Sequence, residues 1–331
     1  MQTAKNIGQP LRSLVQALEA ARAGSAQGAA IDSQLGDFMR GAGEALPGES
    51  AQGRKLFRET TLEELTPVVS TAGLLRAVRR RTEAGARNFS ALRRAMVNVP
   101  SGEDPAAEAF DRCLLSANAL SALRARRTFF RRELRYRFQR SPLDRPFRVL
   151  SFGAGPGDEL LEFLREQGPQ AGRVQATLLD GDADCAAHMR QQLGNNGISS
   201  SLEIRQLDPV RAALIDETSG MERQDFIYAP CLFDFLPDEV AAKCLEFIYR
   251  LLSPRGQFFL AHYHRDLTPA DQVVLEWWLE WYPYFRTPQE VGRLLSKSGL
   301  ARAGRAAGLV RGPNVYVVVE RPPDDRKRAR E

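Results

Sequence analysis

Along the chain the spacing of apolar residues changes once, near Phe147, and the change separates two kinds of structure. Before it, apolar residues recur at helical intervals and no strand-like alternation appears. The stretch Leu123–Phe138, LRARRTFFRRELRYRF, interleaves leucines and phenylalanines at that spacing, which predicts one amphipathic helix with a buried stripe. Residues 56–146 therefore read as a helical subdomain of several helices, ended by a short linker punctuated by Pro142 and Pro146. Residues 1–55 are rich in Ala, Gly, Ser and Gln and carry only weak helical patches such as Leu11–Ala23, so a partly ordered leader is expected there.

From Phe147 onward, short apolar runs alternate with helix-length amphipathic segments, the pattern of a parallel sheet with crossover helices. The runs predict strands at Arg148–Phe152, Gln175–Asp180, Leu202–Gln206, Asp225–Tyr228, Gln257–His262 and Asn314–Glu320. Helices are predicted between them, near Asp158–Glu166, Asp182–Leu193, Pro237–Leu252 and Thr287–Ser298. The catalytic-domain-sized region is thus 147–321, and 322–331, PPDDRKRARE, is a charged tail expected to fray. The fold class is α/β, with the helical region in front of it.

Composition narrows the setting. A hydrophobic content of 43% is ample for a core, and no run approaches the roughly 18 apolar residues of a membrane span. The first residues carry a lysine and no apolar segment of the kind that directs secretion, so a cytoplasmic location is expected. Four cysteines stand far apart without a CxxC pair, which argues against a zinc site or a disulfide framework. The net charge of +5 is modest, but arginines crowd Arg76–Arg94 and Arg124–Arg140. Such bands suit nucleic acid or an anionic membrane surface, and equally suit solvated helix faces; nucleic acid is not the expected partner.

The first strand runs directly into GAGPGDE, placing Gly153, Gly155 and Gly157 before a helix. Glycine permits positive φ, its missing side chain lets a ligand approach the backbone, and the helix presents its amides. Tight strand–helix packing selects the same residues, so the turn alone decides little. The next strand ends in Asp180, followed by Gly181; an acid at that position accepts hydrogen bonds from ribose hydroxyls in dinucleotide-type folds. Asp182 is placed to cap the following helix, and Asp208, after the third strand, is placed either at an adenine edge or in a turn before Pro209. A dehydrogenase usually carries GxGxxG, whereas Gly157 falls one residue early and the turn sits mid-chain behind helices, which favours S-adenosylmethionine over a nicotinamide.

RVLSFGAGPGDE, TLLDGD, DFIYAPCLFDFLPD and LLSPRGQFFLAHYH, in this order, resemble the successive motifs of class I S-adenosylmethionine-dependent methyltransferases over roughly Phe147–Arg321. The resemblance implies a Rossmann-like seven-stranded sheet with helices on both faces, whose last strand, here NVYVVVE, inserts antiparallel. It also implies S-adenosylmethionine as cofactor, held by Gly153, Ala154, Gly155, Gly157, Asp180, Gly181, Asp208, Tyr228 and Ala229. Ser151 departs from the pattern, because many members carry an acid there near the methionine amino group; backbone carbonyls, Asp158 or Glu159 are left for that contact. A narrower resemblance, on SALRARRTFFRREL, VLSFGAGPGDEL, FIYAPCLFDFLPD and EWWLEWYPYFRT, is to bacterial methyltransferases that make 3-hydroxy fatty acid methyl esters as extracellular signals. His262 departs from it, standing where a small polar residue such as asparagine is expected.

Ligands of open α/β sheets bind outside the carboxyl ends of the strands, so the methyl acceptor is expected beside Tyr228–Asp234 and His262–Arg265. His262 and His264 are the candidate general bases, or else histidines hydrogen-bonded in a loop. A metal site is not expected, since the third histidine, His188, is distant. All three tryptophans follow in EWWLEWYPYFRT, where Trp277/Trp281 and Trp278/Tyr282 are spaced to share helix faces. Leu232, Phe233, Tyr263, Trp277, Trp281 and Tyr282 are therefore expected to line an apolar substrate pocket, with core packing as the alternative for the rings. Arg265 and Arg286 are candidates to hold an anionic head group, or surface ion-pair partners.

The acceptor decides the mechanism. A carboxylate is ionised at neutral pH and needs no base, whereas a hydroxyl does. The leading expectation is O-methylation of a small molecule, a hydroxy fatty acid carboxylate among the candidates. N- or O-methylation of another natural product and a catalytically silent S-adenosylmethionine-binding regulatory module are the alternatives. The helical subdomain is expected to serve as a lid or as a homodimer interface.

Overall fold

A computed structural model describes residues 2–24, 28–79, 89–196, 202–218, 220–300 and 305–323. Arg80, Arg81 and Arg87 of the first arginine band and most of the charged tail lie outside the described residues. The chain forms two compact units, Met1–Arg124 with Asp266–Tyr282, and Ala125–Arg265 with Pro283–Glu331.

The first unit is helical: α1 Gln2–Arg22, α2 Gly28–Ala45, α3 Ala51–Val69, α4 Gly73–Arg79, α5 Phe89–Val97, α6 Pro105–Ser116 and the start of α7, Asn118–Phe138. The partly ordered leader expected over 1–55 is thus mostly helix in the described residues. Leu11, Leu14, Leu18 and Ala21 recur at helical spacing on α1 and are buried, as are Ile31, Leu35, Phe38, Met39 and Ala42 on α2. Small residues between them dilute the composition without breaking the stripe. Asp32 of α2 pairs with Arg112 of α6 at 3.2 Å.

Asp111, fully buried on α6, ties the unit together. It accepts hydrogen bonds from the Leu74 amide at 2.6 Å and the Ser101 amide at 2.9 Å, and pairs with Arg94 at 3.2 Å.

The second unit holds seven strands in the order β3-β2-β1-β4-β5-β7-β6. They are β1 Phe147–Phe152, β2 Val174–Asp180, β3 Leu202–Gln206, β4 Gln224–Ala229, β5 Leu252–Tyr263, β6 Arg305–Arg311 and β7 Asn314–Glu320. β1 to β5 run parallel, and β7 inserts antiparallel between β5 and β6, as the resemblance implies. The helices are α8 Asp158–Gln167, α9 Ala183–Asn196, α10 Pro209–Leu214, α11 Asp238–Leu251 and α13 Pro288–Lys297; α12, Pro269–Val273, belongs to the first unit. The sequence pattern predicts six of the strands. It misses β6, whose described side chains are all exposed, so that no buried alternation marks it.

Phe152, Phe233, Phe247 and Phe258 pack in a core that includes α11 and α13. On the α7 side, Phe130 faces Tyr228 at 5.1 Å and Phe138 faces Phe147 at 5.8 Å between ring centroids. Strands buried on both faces read as continuous apolar runs, which is why β1, β2 and β4 are legible in sequence. Among the described residues, no helix is long and apolar enough to cross a membrane, and no group of three His, Cys, Asp or Glu is arranged to hold a metal ion.

Replacing Asp111 by alanine strands the Leu74 and Ser101 amides and the Arg94 guanidinium. The expected loss is about 3–5 kcal/mol in urea unfolding of the full chain; a loss below ~1 kcal/mol would show that Asp111 does not anchor the unit.

Candidate functional site

From β1 the strand order proceeds one way to β2 and the other way to β4, so the switch point lies between β1 and β4, where open sheets bind ligands. The turn after β1 enters this crevice with Gly153, Gly155 and Gly157 at φ 73°, 55° and 66°. At Gly153 a Cβ would stand 2.9 Å from Leu232 Cβ, so any side chain collides with the turn after β4. The Gly153 and Ala154 amides donate to the Leu179 carbonyl at 2.9 and 3.1 Å, and the Gly155 amide donates to Asp180 Oδ2 at 2.8 Å. Asp180 Oδ1 accepts from the Asp182 amide at 3.0 Å. Asp180 therefore fixes the turn through one oxygen and the start of the next helix through the other, with a lone pair left on each.

The other two acids act as caps. Asp182 accepts from the Asp184 amide at 2.8 Å and the Cys185 amide at 3.3 Å at the start of α9. Asp208 accepts from the Val210 and Arg211 amides at 2.8 and 3.1 Å at the start of α10. Gly181 lies directly against Asp208, whose Cα would be 3.1 Å from a Cβ added there.

Two side chains complete this half of the site. Glu159, in the first turn of α8, is buried and accepts a hydrogen bond from the Tyr228 hydroxyl at 2.8 Å. Burial pushes its carboxyl up to about 7, against the opposing pull of its own backbone amide and of Tyr228. Burial and the Glu159 charge in turn push the Tyr228 hydroxyl well above its ordinary 10. A glycine-rich turn, an acid at the next strand end and a buried acid beside the turn fit a nucleoside that carries a cationic tail.

On the far side of the crevice, a chain of charged groups is buried. Arg126 and Asp234, both fully inaccessible, form an ion pair. Arg126 also donates to Asn314 Oδ1 at 2.7 Å and to the Pro230 carbonyl at 3.0 Å, and lies 4.3 Å over the Tyr263 ring. Burial lowers the Arg126 pKa, but Asp234 and its other neighbours outweigh this and hold it above its ordinary value. Asp234 accepts from the Tyr263 amide at 2.7 Å, and its carbonyl accepts from the Tyr284 amide at 2.6 Å.

His262 and Arg286 extend the chain. Arg286 Nη1 lies 2.6 Å from His262 Nε2. A guanidinium only donates, so Nε2 is the unprotonated nitrogen and Nδ1 carries the proton, which it donates to the Tyr263 carbonyl at 3.0 Å. Burial lowers the His262 pKa; Asp234 and the Tyr263 carbonyl oppose that, and the Arg286 and Arg126 charges reinforce it. The remaining Arg286 donors go to the Phe233 carbonyl at 3.0 Å, the Leu236 carbonyl at 2.6 Å and Asp238 at 2.7 Å.

These contacts change several expectations. His262 is a neutral, buried histidine with both ring nitrogens bonded, in place of a base open to substrate. Arg286 is buried and its donors are taken up by the protein. Arg265 is exposed and pairs with Glu290 at 2.5 Å. His264 is half-buried, its amide bonded to the Pro313 carbonyl at 2.9 Å. Leu232 and Phe233 pack in the core cluster, while Tyr263 is buried against Arg126.

Trp277, Trp281 and Tyr282 belong to the first unit. Trp277 packs edge-on against Phe57 at 5.1 Å, and Trp278 against Phe110 at 4.8 Å. The helical faces expected to run to Tyr282 do not form. α12 widens into a π turn over Val274–Trp278, Glu280 takes φ 54°, and Pro283 follows, so Trp281 is half-buried in a loop and Tyr282 is exposed.

Sequence reasoning placed Asp234 at the end of the acceptor-side segment without its ion-pair role, and missed Arg126 and Asn314. One signal existed for Arg126: it occupies the buried stripe of α7 between Leu123 and Phe130, where an arginine needs a partner.

A family model described as a methyltransferase domain matches residues 122–310, more than half of the chain. The chain belongs to this methyltransferase domain family. The match begins within α7, so it takes in Arg126 as well as the glycine turn. The crystal structure of a possible exported protein from Bordetella parapertussis superposes with a TM-score of 0.52 at 16% identity, covering 96% of this chain and 97% of that one, which shows the shared fold. Weaker likenesses include the Burkholderia thailandensis 1,6-didemethyltoxoflavin-N1-methyltransferase, solved with 1,6-didemethyltoxoflavin and S-adenosylhomocysteine (TM-score 0.40, 19% identity, 61% of this chain and 79% of that). An O-methyltransferase family protein of Burkholderia thailandensis gives a TM-score of 0.47 at 12% identity, over 81% of this chain and 71% of that. No curated protein matches the sequence.

Because His262 in the folded methyltransferase domain holds its proton less well than an ordinary histidine at 6.5, the unfolded chain takes up a proton first as pH falls. Its contribution therefore makes stability fall on acidification below pH 6.5. Glu159, with its raised carboxyl, contributes in the opposite sense, so the comparison must be with a variant. His262→Gln should flatten the melting-temperature decline between pH 7 and 5 relative to the unaltered protein; parallel curves would rule this linkage out.

Proposed function

We propose that this methyltransferase methylates a carboxylate oxygen of a small molecule, a hydroxy fatty acid being the leading candidate. Its methyl donor is S-adenosylmethionine, whose sulfonium supplies an electrophilic methyl group when bound. Gly153, Ala154, Gly155 and Gly157 form the cradle for it, and Asp180 offers its remaining lone pairs to the ribose hydroxyls. Gly181 and Asp208 face the nucleoside side of the crevice, and Tyr228 and Ala229 close it at the end of β4.

The observation that carries the choice of acceptor is His262, neutral and bonded at both ring nitrogens. A nucleophile already ionised at neutral pH needs no proton removed, which suits a site whose most central histidine is engaged elsewhere. The protein's task is then alignment. The Arg126–Asp234 pair holds the turn Cys231–Phe235 and the end of β5, and Tyr263 is fixed against it.

Calorimetry with S-adenosylmethionine, followed by transfer from labelled donor to panels of hydroxy acids, aromatic metabolites and RNA, tests this reading. The expected product is an ester whose label is released by mild alkali. Asp180→Ala should weaken donor binding roughly tenfold or more, the loss of one or two charge-assisted hydrogen bonds. Label appearing only on hydroxyl, amine or RNA acceptors would overturn the carboxylate assignment.

A further inference from the structure

The two arginine bands differ in how their charge is met. In the second unit, Arg127, Arg131 and Arg135 of α7 pair with Glu162 and Glu166 of α8, so that band is a compensated helix face. The first band is not compensated. In sequence, Arg76–Arg94 holds seven arginines against one acid, Glu83, which exceeds the net +5 of the whole chain and leaves the remainder slightly acidic. In the first unit, α4 and α5 border a cavity of about 390 Å³ whose lining includes Arg76, Arg93, Arg94, Ser90, Ser101 and Val97. Arg94 is committed to the fold: it pairs with Asp111 at 3.2 Å and donates to the Val99 carbonyl and the Ser101 hydroxyl. Arg76 pairs with Glu103 at 2.6 Å, but both side chains are exposed, and such a pair is worth little in water. Arg93 is exposed and makes no ion pair among the described residues.

Apolar side chains stand beside these cations. Val97, which lines the cavity, is 49% exposed, and Val99 is 57% exposed. Asn98 between them takes φ 55°, just past the end of α5, and so turns Val99 off the helix. Single exposed apolar residues need no explanation. Two at one helix end, next to an unpaired arginine, match the layered chemistry of a bilayer surface, with phosphate outside and hydrocarbon within. A free phosphate would use the arginines alone. Nucleic acid is served better by exposed aromatic rings that stack on its bases, and the one ring among the lining residues, Phe89, is half-buried.

We propose that this face of the first unit docks on the surface of an anionic membrane. Arg76, Arg93 and the Ser90 hydroxyl take lipid phosphates, and Val97 and Val99 enter the boundary of the acyl chains. Arg76 gives up its exposed pair with Glu103 at small cost, while Arg94 keeps its place against Asp111. The surface belongs to the first unit by itself and does not depend on which acceptor is methylated. A fatty acid dissolves in the same bilayer, so docking there would bring enzyme and such an acceptor to one interface.

The test is co-sedimentation of the full chain with vesicles of phosphatidylcholine and phosphatidylglycerol in equal parts, and with vesicles of phosphatidylcholine alone. Binding should be roughly tenfold or more tighter to the anionic vesicles and should fall as salt is added. Arg93→Gln and Arg76→Gln should each weaken it about fivefold, the effect of one arginine near an anionic surface. Val97→Ser combined with Val99→Ser should weaken it roughly tenfold through lost apolar burial. Glycerol 3-phosphate, which carries the phosphate without the hydrocarbon, should not displace the protein at equal phosphate concentration. All four side chains reach solvent, and melting curves check that the variants are folded. The proposal is overturned if both vesicles bind alike, if neither binds, or if the arginine variants bind as the unaltered protein does. Full retention by the valine variant, or displacement by glycerol 3-phosphate, would mark a site for free phosphate and overturn the membrane assignment. Tighter binding to single-stranded RNA than to the anionic vesicles would overturn it in favour of nucleic acid.

Discussion

The ion pair between Arg126 and Asp234 is the constraint on which the acceptor side of the second unit depends. Both side chains are wholly removed from water, and taking such charges out of solvent costs several kcal/mol apiece unless nearly every donor and acceptor finds a partner. The surroundings meet that condition with the Asn314 side chain, the Pro230 carbonyl, the Tyr263 amide and the face of the Tyr263 ring. Segments distant in sequence, namely α7, the turn after β4, the end of β5 and the start of β7, are thereby held by polar geometry. Apolar packing tolerates sliding; hydrogen bonds of fixed length and direction do not. His262 and Arg286 carry the same network on to Asp238 and α11.

What was legible in the sequence follows from how local its determinants are. The glycine turn, Asp180 and the capping role of Asp182 are set by neighbours a few residues away, and the structure places them as the spacing implies. The parallel strands announce themselves because both faces are buried. The Arg126–Asp234 pair is different, since its partners stand 108 positions apart and Arg126 is one arginine within a crowded band. His262 reads as a base for a related reason: sequence gives its position at a strand end, and the fate of its two nitrogens depends on Arg286, brought back by a later segment. The tryptophan segment shows the limit of periodicity. Its i,i+4 spacing is real, but Glu280 and Pro283 end the helix before the second ring of each pair. Composition obscured residues 1–55 in the opposite way, because alanines and glycines hid a regular leucine stripe.

The two halves of the crevice press together at the turns that follow β1 and β4. Gly153 opens the donor turn and Leu232 opens the turn that carries Asp234, and a Cβ on the first would stand 2.9 Å from the Cβ of the second. The cradle and the acceptor-side turn thus approach closely enough for backbone and the Leu232 side chain to set their spacing. Asp180 fixes the cradle, and Arg126 fixes the opposing turn.

That contact also bears on how such a domain diversifies. Position 153 is closed to anything but glycine, both by its φ of 73° and by the Leu232 Cβ it faces. New acceptors must then be accommodated by residues that the junction leaves unconstrained. A change of acceptor can thus be made without touching this corner of the crevice, where the backbone itself sets the spacing.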